Sequence, residues 1–356
     1  MKKTITLFIT LVVLTACGAG QNTAATPENG EPAKLTLMTH DSFAISEEVL
    51  QQFEAANNVT VELLPSGDAG SALNQAILAR ENPLADLFFG VDNTFMSRAL
   101  EADIFTPYES PALANIRDEL KLDSSGRLLP VDYGDVCLNY DKAWFAEKGL
   151  PAPDSWEDLS DPAYKGLLVV ENPATSSPGL AFMLATVAAF GADDEYDFLE
   201  YWADLRANDV MVTNGWEEAY YGQFTVGGGG ERPLVVSYAS SPPAEFIFAD
   251  PPVAESPTAS VTAPGMCFRQ VEFVGILKGT ENRELAEKLV DFMLGRTFQE
   301  DIPLNMFVFP ANTQATLPQP FTDWAQIPSQ PASLSPEEIA ANRDAWIEAW
   351  TEVMLR

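Results

Sequence analysis

The runs LPVDYGDVCLNY (residues 129–140) and GMCFRQVEFVGIL (residues 265–277) decide how this chain folds. Both are long and strand-like, and each follows a block in which strand and helix patterns alternate. In the first block, Leu35–Thr39 reads as an apolar strand, and Ser46 as the cap of a helix with Val49, Leu50 and Phe53 on one face. Val59–Leu64 alternates like a strand, Ser71–Arg80 is helical and Ala85–Gly90 is a short buried strand. A β-α-β-α-β order predicts a mainly parallel sheet covered by helices on both faces. The second block repeats the theme. It has a strand at Gly166–Val170, helices within Gly179–Phe190 and Asp194–Asn208, and a strand at Val210–Thr213. A helix at Trp216–Phe224 and a strand at Leu234–Tyr238 complete it. Two similar blocks joined by two extended runs predict an α/β, hinged, two-lobed body. Residues 34–131 plus 270–356 would form one lobe and residues 132–269 the other. Asn282–Leu294 reads as an amphipathic helix, and Ser335-Pro336-Glu337-Glu338 as a capping box that opens a last helix.

The N-terminus carries an export signature. Lys2 and Lys3 precede an apolar run, Ile5–Leu14, and Leu14-Thr15-Ala16-Cys17 follows. The apolar run falls short of the roughly 20 residues that span a bilayer. Residues 1–16 are therefore expected to be a lipoprotein signal peptide, with Cys17 as the lipid-modified terminus. Residues 17–33, polar and proline-containing, would be a flexible tether at the membrane. Cys137 and Cys267 remain, one in each extended run. They are either two buried thiols or a bridge. Neighbouring strands lie about 4.8 Å apart, which favours the bridge.

Composition excludes several function classes. The chain has 20 Lys and Arg against 52 Asp and Glu, a net charge of −32. Such a surface repels nucleic acid and anionic lipid headgroups and attracts a small cation. The single histidine, His40, and the lack of a Gly-x-Ser-x-Gly elbow argue against a hydrolytic triad. A histidine-based zinc site is excluded by count. Gly227–Gly230 lacks the Lys-Ser/Thr of a phosphate loop and reads as a flexible turn. The expectation is a monomeric non-enzyme without a cofactor.

The order of several short motifs resembles the thiamine-binding periplasmic proteins of bacterial ABC transporters. These motifs are Thr39-His40-Asp41-Ser42-Phe43, Gly90-Val91-Asp92-Asn93, Asp132-Tyr133-Gly134 and Thr175-Ser176-Ser177-Pro178-Gly179. Asn214-Gly215-Trp216-Glu217-Glu218-Ala219-Tyr220 and Ser237-Tyr238-Ala239-Ser240-Ser241-Pro242 follow. Ile302-Pro303, Phe307-Val308-Phe309-Pro310 and Ala345-Trp346 close the series. The resemblance implies a type II solute-binding fold with two crossover strands. It also implies a thiamine or thiamine phosphate ligand between the lobes and delivery to an ABC permease. By position it gives ligand-facing roles to Trp216, Tyr238 and Phe307. The family has tryptophan where Phe307 stands, tyrosine where His40 stands and a further tyrosine near Ala244, so the aromatic box is thinner here.

The residues themselves suit such a ligand. Ring faces attract a cationic thiazolium, Asp41 and Asp92 offer negative charge, and Ser176 and Ser177 open a helix that could hold a polar tail. Each has a plainer alternative: packing for the aromatics, a satisfied surface position for His40, turn or cap duty for the others. Two rival functions remain. A ferric-ion-binding protein of the same fold could use Tyr220, Tyr221 and His40; a secreted hydrolase would need a nucleophile–base pair that the sequence does not offer.

Overall fold

A computed structural model describes residues 32–192 and 194–356. The expected signal peptide, Cys17 and nearly all of the tether lie outside the described residues. Residues Ala33–Arg356 form one compact body. The strands are β1 (Ala33–Thr39), β2 (Val59–Pro65), β3 (Leu87–Asp92), β4 (Phe105–Thr106), β5 (Leu129–Asp141), β6 (Leu168–Glu171), β7 (Met211–Thr213), β8 (Leu234–Tyr238), β9 (Thr258–Val261), β10 (Phe268–Leu277) and β11 (Phe309–Pro310). The first six helices are α1 (Glu47–Asn57), α2 (Ala69–Leu78), α3 (Met96–Glu101), α4 (Lys142–Lys148), α5 (Trp156–Ser160) and α6 (Ser177–Phe190). Then come α7 (Phe198–Ala207), α8 (Pro242–Ile247), α9 (Arg283–Leu294), α10 (Arg296–Asn305), α11 (Gln319–Trp324) and α12 (Pro336–Leu355).

The fold is α/β and two-lobed, with two crossover strands. The sheet order is β2-β1-β3-β10-β5-β8-β6-β7. Within each half three strands run parallel, β2-β1-β3 in one and β7-β6-β8 in the other. Both halves therefore place their second strand outside, their first in the middle and their third inside. The long strands β5 and β10 join the halves. They pair antiparallel with each other from Phe268↔Val136 to Val274↔Leu129. β5 then continues onto β8, and β10 onto β3. One hydrogen-bonded sheet thus runs through both halves, and the crossing lies at its centre.

Burial explains the sequence pattern. β3 and most of β5 are buried on both faces, which is why they read as continuous apolar runs rather than alternating ones. α6, apolar all round, is buried from Ser177 to Val187 and packs on β5, β6, β8 and β10. Ser335 and Glu338 form the expected capping box. Ser46 stands at the N-cap of α1, as expected, but its side chain makes no capping bond. Its hydroxyl and amide instead bind the Asp301 carboxylate, at 2.6 and 2.8 Å. α12 contacts α7 in one half and α3 in the other, with Trp350 edge-on to Trp202 at 5.4 Å. Cys137 and Cys267 face each other one step beyond the Phe268↔Val136 pair, with Cα atoms 4.4 Å apart and sulfurs within bonding distance.

Candidate functional site

A cavity of about 320 Å³ opens where the halves meet. Its walls come from segments just beyond the carboxyl ends of parallel strands, where open α/β sheets bind ligands. His40–Ala44 follow β1, Asp68 follows β2, Ser177 follows β6, Trp216 follows β7 and Tyr238 ends β8. Glu272 of β10 forms part of the floor, and Leu304–Val308 close one side. Six expected residues reach this cavity: His40, Asp41, Ser177, Trp216, Tyr238 and Phe307.

Trp216 is held at three points. Its amide donates to Asp68 Oδ2 at 2.9 Å, its indole N–H donates to Ser237 Oγ at 2.9 Å, and its ring stacks on Tyr220 at 4.9 Å. Tyr220 lies on Glu218–Gln223, which winds as a π-helix rather than the expected α-helix. Such wide turns are rare and are frequently found at functional sites. The glycines 227–230 are not merely a flexible turn. A Cβ on Gly228 would lie 1.7 Å from the Tyr221 carbonyl oxygen, so the run is glycine because it packs against the wide turn's backbone.

Tyr238 donates its hydroxyl to Gln270 Oε1 at 2.8 Å, and Gln270 Nε2 donates to Ser177 Oγ at 2.8 Å. Ser177 therefore acts as an acceptor and keeps its proton for a partner in the cavity. Phe307 presents its ring from a left-handed backbone, φ 55°, edge-on to Phe248 at 5.8 Å. Phe248 stands at the cavity's mouth and is 70% exposed. His40 packs over Gly90, where any Cβ would come within 2.6 Å of its ring. Its Nε2 lies 3.3 Å from Glu272 Oε1. Burial opposes the charged imidazole, but the carboxylates of Glu272, Asp68 and Asp41 together outweigh it and raise the pKa.

Two expectations are corrected. Asp92 does not line the cavity. It is fully buried and accepts from the Thr94 hydroxyl at 2.7 Å and the Phe95 amide at 3.1 Å, a local turn that uses up its oxygens. Burial pushes its pKa up to about 7, so it is a poor source of negative charge. Ser176 is likewise buried and serves as the N-cap of α6. Asp41 reaches the cavity but also accepts from the Gly67 amide at 2.8 Å, so it has the turn role as well.

Three lining carboxylates, Asp68, Glu217 and Glu272, carry no site signal in the sequence. Asp68 caps α2 through Oδ1 and holds Trp216 through Oδ2. Burial raises its pKa, partly offset by the Trp216 and Ala69 amides and the Ser176 hydroxyl. Glu272 was hidden inside a strand. The described lining includes Asp41, Asp68, Glu217 and Glu272, and His40 is its basic side chain; it contains no Lys or Arg. The site is an aromatic box lined with carboxyl groups.

The family model described as bacterial extracellular solute-binding protein matches residues 82–329. The chain belongs to that family. This solute-binding protein is 31% identical to the thiamine-binding periplasmic protein of Salmonella typhimurium, over 93% of this chain and 96% of the relative. A solved periplasmic thiamin binding protein superposes with a TM-score of 0.79 at 28% identity, over 91% of this chain and 97% of that one. Iron-bound HitA from Pseudomonas aeruginosa gives 0.73 at 18% identity, over 90% and 99% of the two chains, a likeness of fold alone. Solute binding and an exported location follow from the family.

Proposed function

We propose that this solute-binding protein carries thiamine in the cavity between its halves and delivers it to an ABC permease. The observation that carries this reading is an aromatic box over carboxylates with no Lys or Arg among the described residues of its lining. Ring faces of Trp216, Tyr238 and Phe307 meet the cationic thiazolium and the flat pyrimidine, each cation–ring contact contributing about 0.5–2 kcal/mol. Asp68 and Glu272 supply the negative charge, Asp41 adds to it at the rim, and Ser177 and His40 offer polar contacts. The same charge pattern favours free thiamine over its phosphate esters, whose added negative charge the wall would repel. The lobes divide at 131/132 and 269/270, Cys137 and Cys267 are bridged, and Cys17 carries the lipid anchor of a monomer. The bridge closes a loop of about 130 residues and adds roughly 2–4 kcal/mol.

The iron reading is disfavoured by the phenols. Tyr220 is buried with its ring stacked on Trp216 at 4.9 Å, and the Tyr238 hydroxyl donates to Gln270 Oε1 at 2.8 Å, so these phenols are committed to packing and to a neutral hydrogen bond. Calorimetry with thiamine, its monophosphate and Fe³⁺ tests the proposal. Thiamine should bind saturably and at least about tenfold more tightly than the monophosphate. Trp216→Ala should lose on the order of 1–3 kcal/mol of binding. Heat with Fe³⁺ alone would transfer the assignment to iron.

A further inference from the structure

Three carboxyl groups stand side by side across the centre of the sheet. Glu272 of β10 is the register partner of Asp92 on β3 and of Asp132 on β5. Directly opposed residues share a face, with Cβ atoms about 4.5–5.5 Å apart. Asp92 and Asp132 are 0% exposed and Glu272 is 8% exposed. Glu272 lines the cavity, while its two neighbours in the sheet do not. Among the described residues, neither oxygen of Asp132 has a hydrogen-bond donor. Its facing group is the Glu272 carboxyl, so a donor exists there only if one of the two holds a proton. Two bare carboxylates at this spacing cannot both stay ionised out of water.

We propose that Asp92, Glu272 and Asp132 form a proton-holding row at the cavity, and that a cation settling against Glu272 expels a proton from it. Asp92 and Asp132 are then positioning residues for cation specificity, acting through Glu272 without touching the ligand. This rests on the reading of the ligand as a cation. The other titratable groups facing the row are His40 and Asp41 from the loop after β1, Asp68 before α2 and Tyr238 on β8. His40 is the one base among them. Burial first, and then the Glu272 charge, hold Asp132 well above the ordinary carboxylate range. The corresponding position of Asp92, about 7, puts it at the point of release near neutrality. A positive charge within about 4–6 Å favours the ionised carboxylate. The balance is one cation in and up to one proton out to buffer, so net charge in the floor is nearly conserved. A neutral or anionic ligand lacks this exchange.

Thiamine is titrated calorimetrically at pH 7 in phosphate and in Tris, which differ widely in protonation enthalpy. The difference in heat per mole bound gives the protons released. The expected value is about 0.5–1 proton per thiamine. Asp132→Asn and Asp92→Asn should each cut it at least by half. Saturable binding with equal heats in both buffers overturns the row as a proton source and leaves the thiamine reading intact. Undiminished release in both variants assigns the proton to His40 or Asp68 and overturns it equally. No thiamine binding between pH 5 and 9 overturns the ligand reading and the row together.

Discussion

Phe307 pays for its place with its backbone. A bulky side chain at φ 55° is strained, a conformation that costs on the order of 1–3 kcal/mol where it is imposed. Asparagine tolerates that region far better. Phe307→Asn should therefore leave the melting temperature unchanged or raised while weakening thiamine binding. A variant that melts several degrees lower would show that the ring is ordinary packing. Asp92 makes the opposite kind of statement, about pH. Its carboxyl ionises near 3.8 when unfolded and near 7 when folded. Between those values the folded chain keeps a proton that the unfolded chain has lost, so stability falls as pH rises through that window, by up to about 1.4 kcal/mol per unit. The raised pKa of His40 adds to the loss above its ordinary value of 6.5. Melting without added ligand should thus shift downward from pH 5 to 7.5, and Asp92→Asn should flatten the slope. A rising curve would refute the buried protonated state.

At the scale of elements, the wide turn at Glu218–Gln223 and the glycine run behind it act as one unit. Gly228→Ala would drive a methyl into the Tyr221 carbonyl. It should destabilise the protein by more than about 2 kcal/mol, the scale of severe steric substitutions. Near-wild-type stability would mean that the run is free to move. Strands and crossings were legible because burial on both faces forces apolar runs. Leu129–Tyr140 was expected and Leu129–Asp141 is observed; the second run begins three residues later than expected, at Phe268. The site was legible only in part. Strand ends pointed to His40, Asp92, Ser176 and Tyr238, of which His40 and Tyr238 line the cavity; Trp216 came from the resemblance. Asp68 shows the signal of a helix cap, which it is, and that signal says nothing of the second oxygen held by Trp216. Glu272 gave no sign, because register decides which strands flank it and periodicity does not encode register. Asp92 misled because Thr94, two residues on, satisfies it.

For the molecule as a whole, the joint between the halves can be tested with a wedge. Ser71 donates its amide to the Thr175 carbonyl at 3.2 Å across the joint, and a Cβ on Gly70 would come within 2.9 Å of the same peptide. Gly70→Val should hold the halves apart, lower thiamine affinity at least about tenfold and enlarge the radius of gyration measured with saturating ligand. Unchanged affinity would mean that this contact does not control closure. β10 occupies the middle of the sheet yet comes late in the chain. Residues 33–267 by themselves leave β3 and β5 each with a bare edge. The core cannot seal before residue 277 has arrived, because the pairings that complete it are distant in sequence. A polypeptide threaded N-terminus first through a narrow export channel would stay pliable for most of its passage, and the knitting of the two halves would become the last event of its delivery.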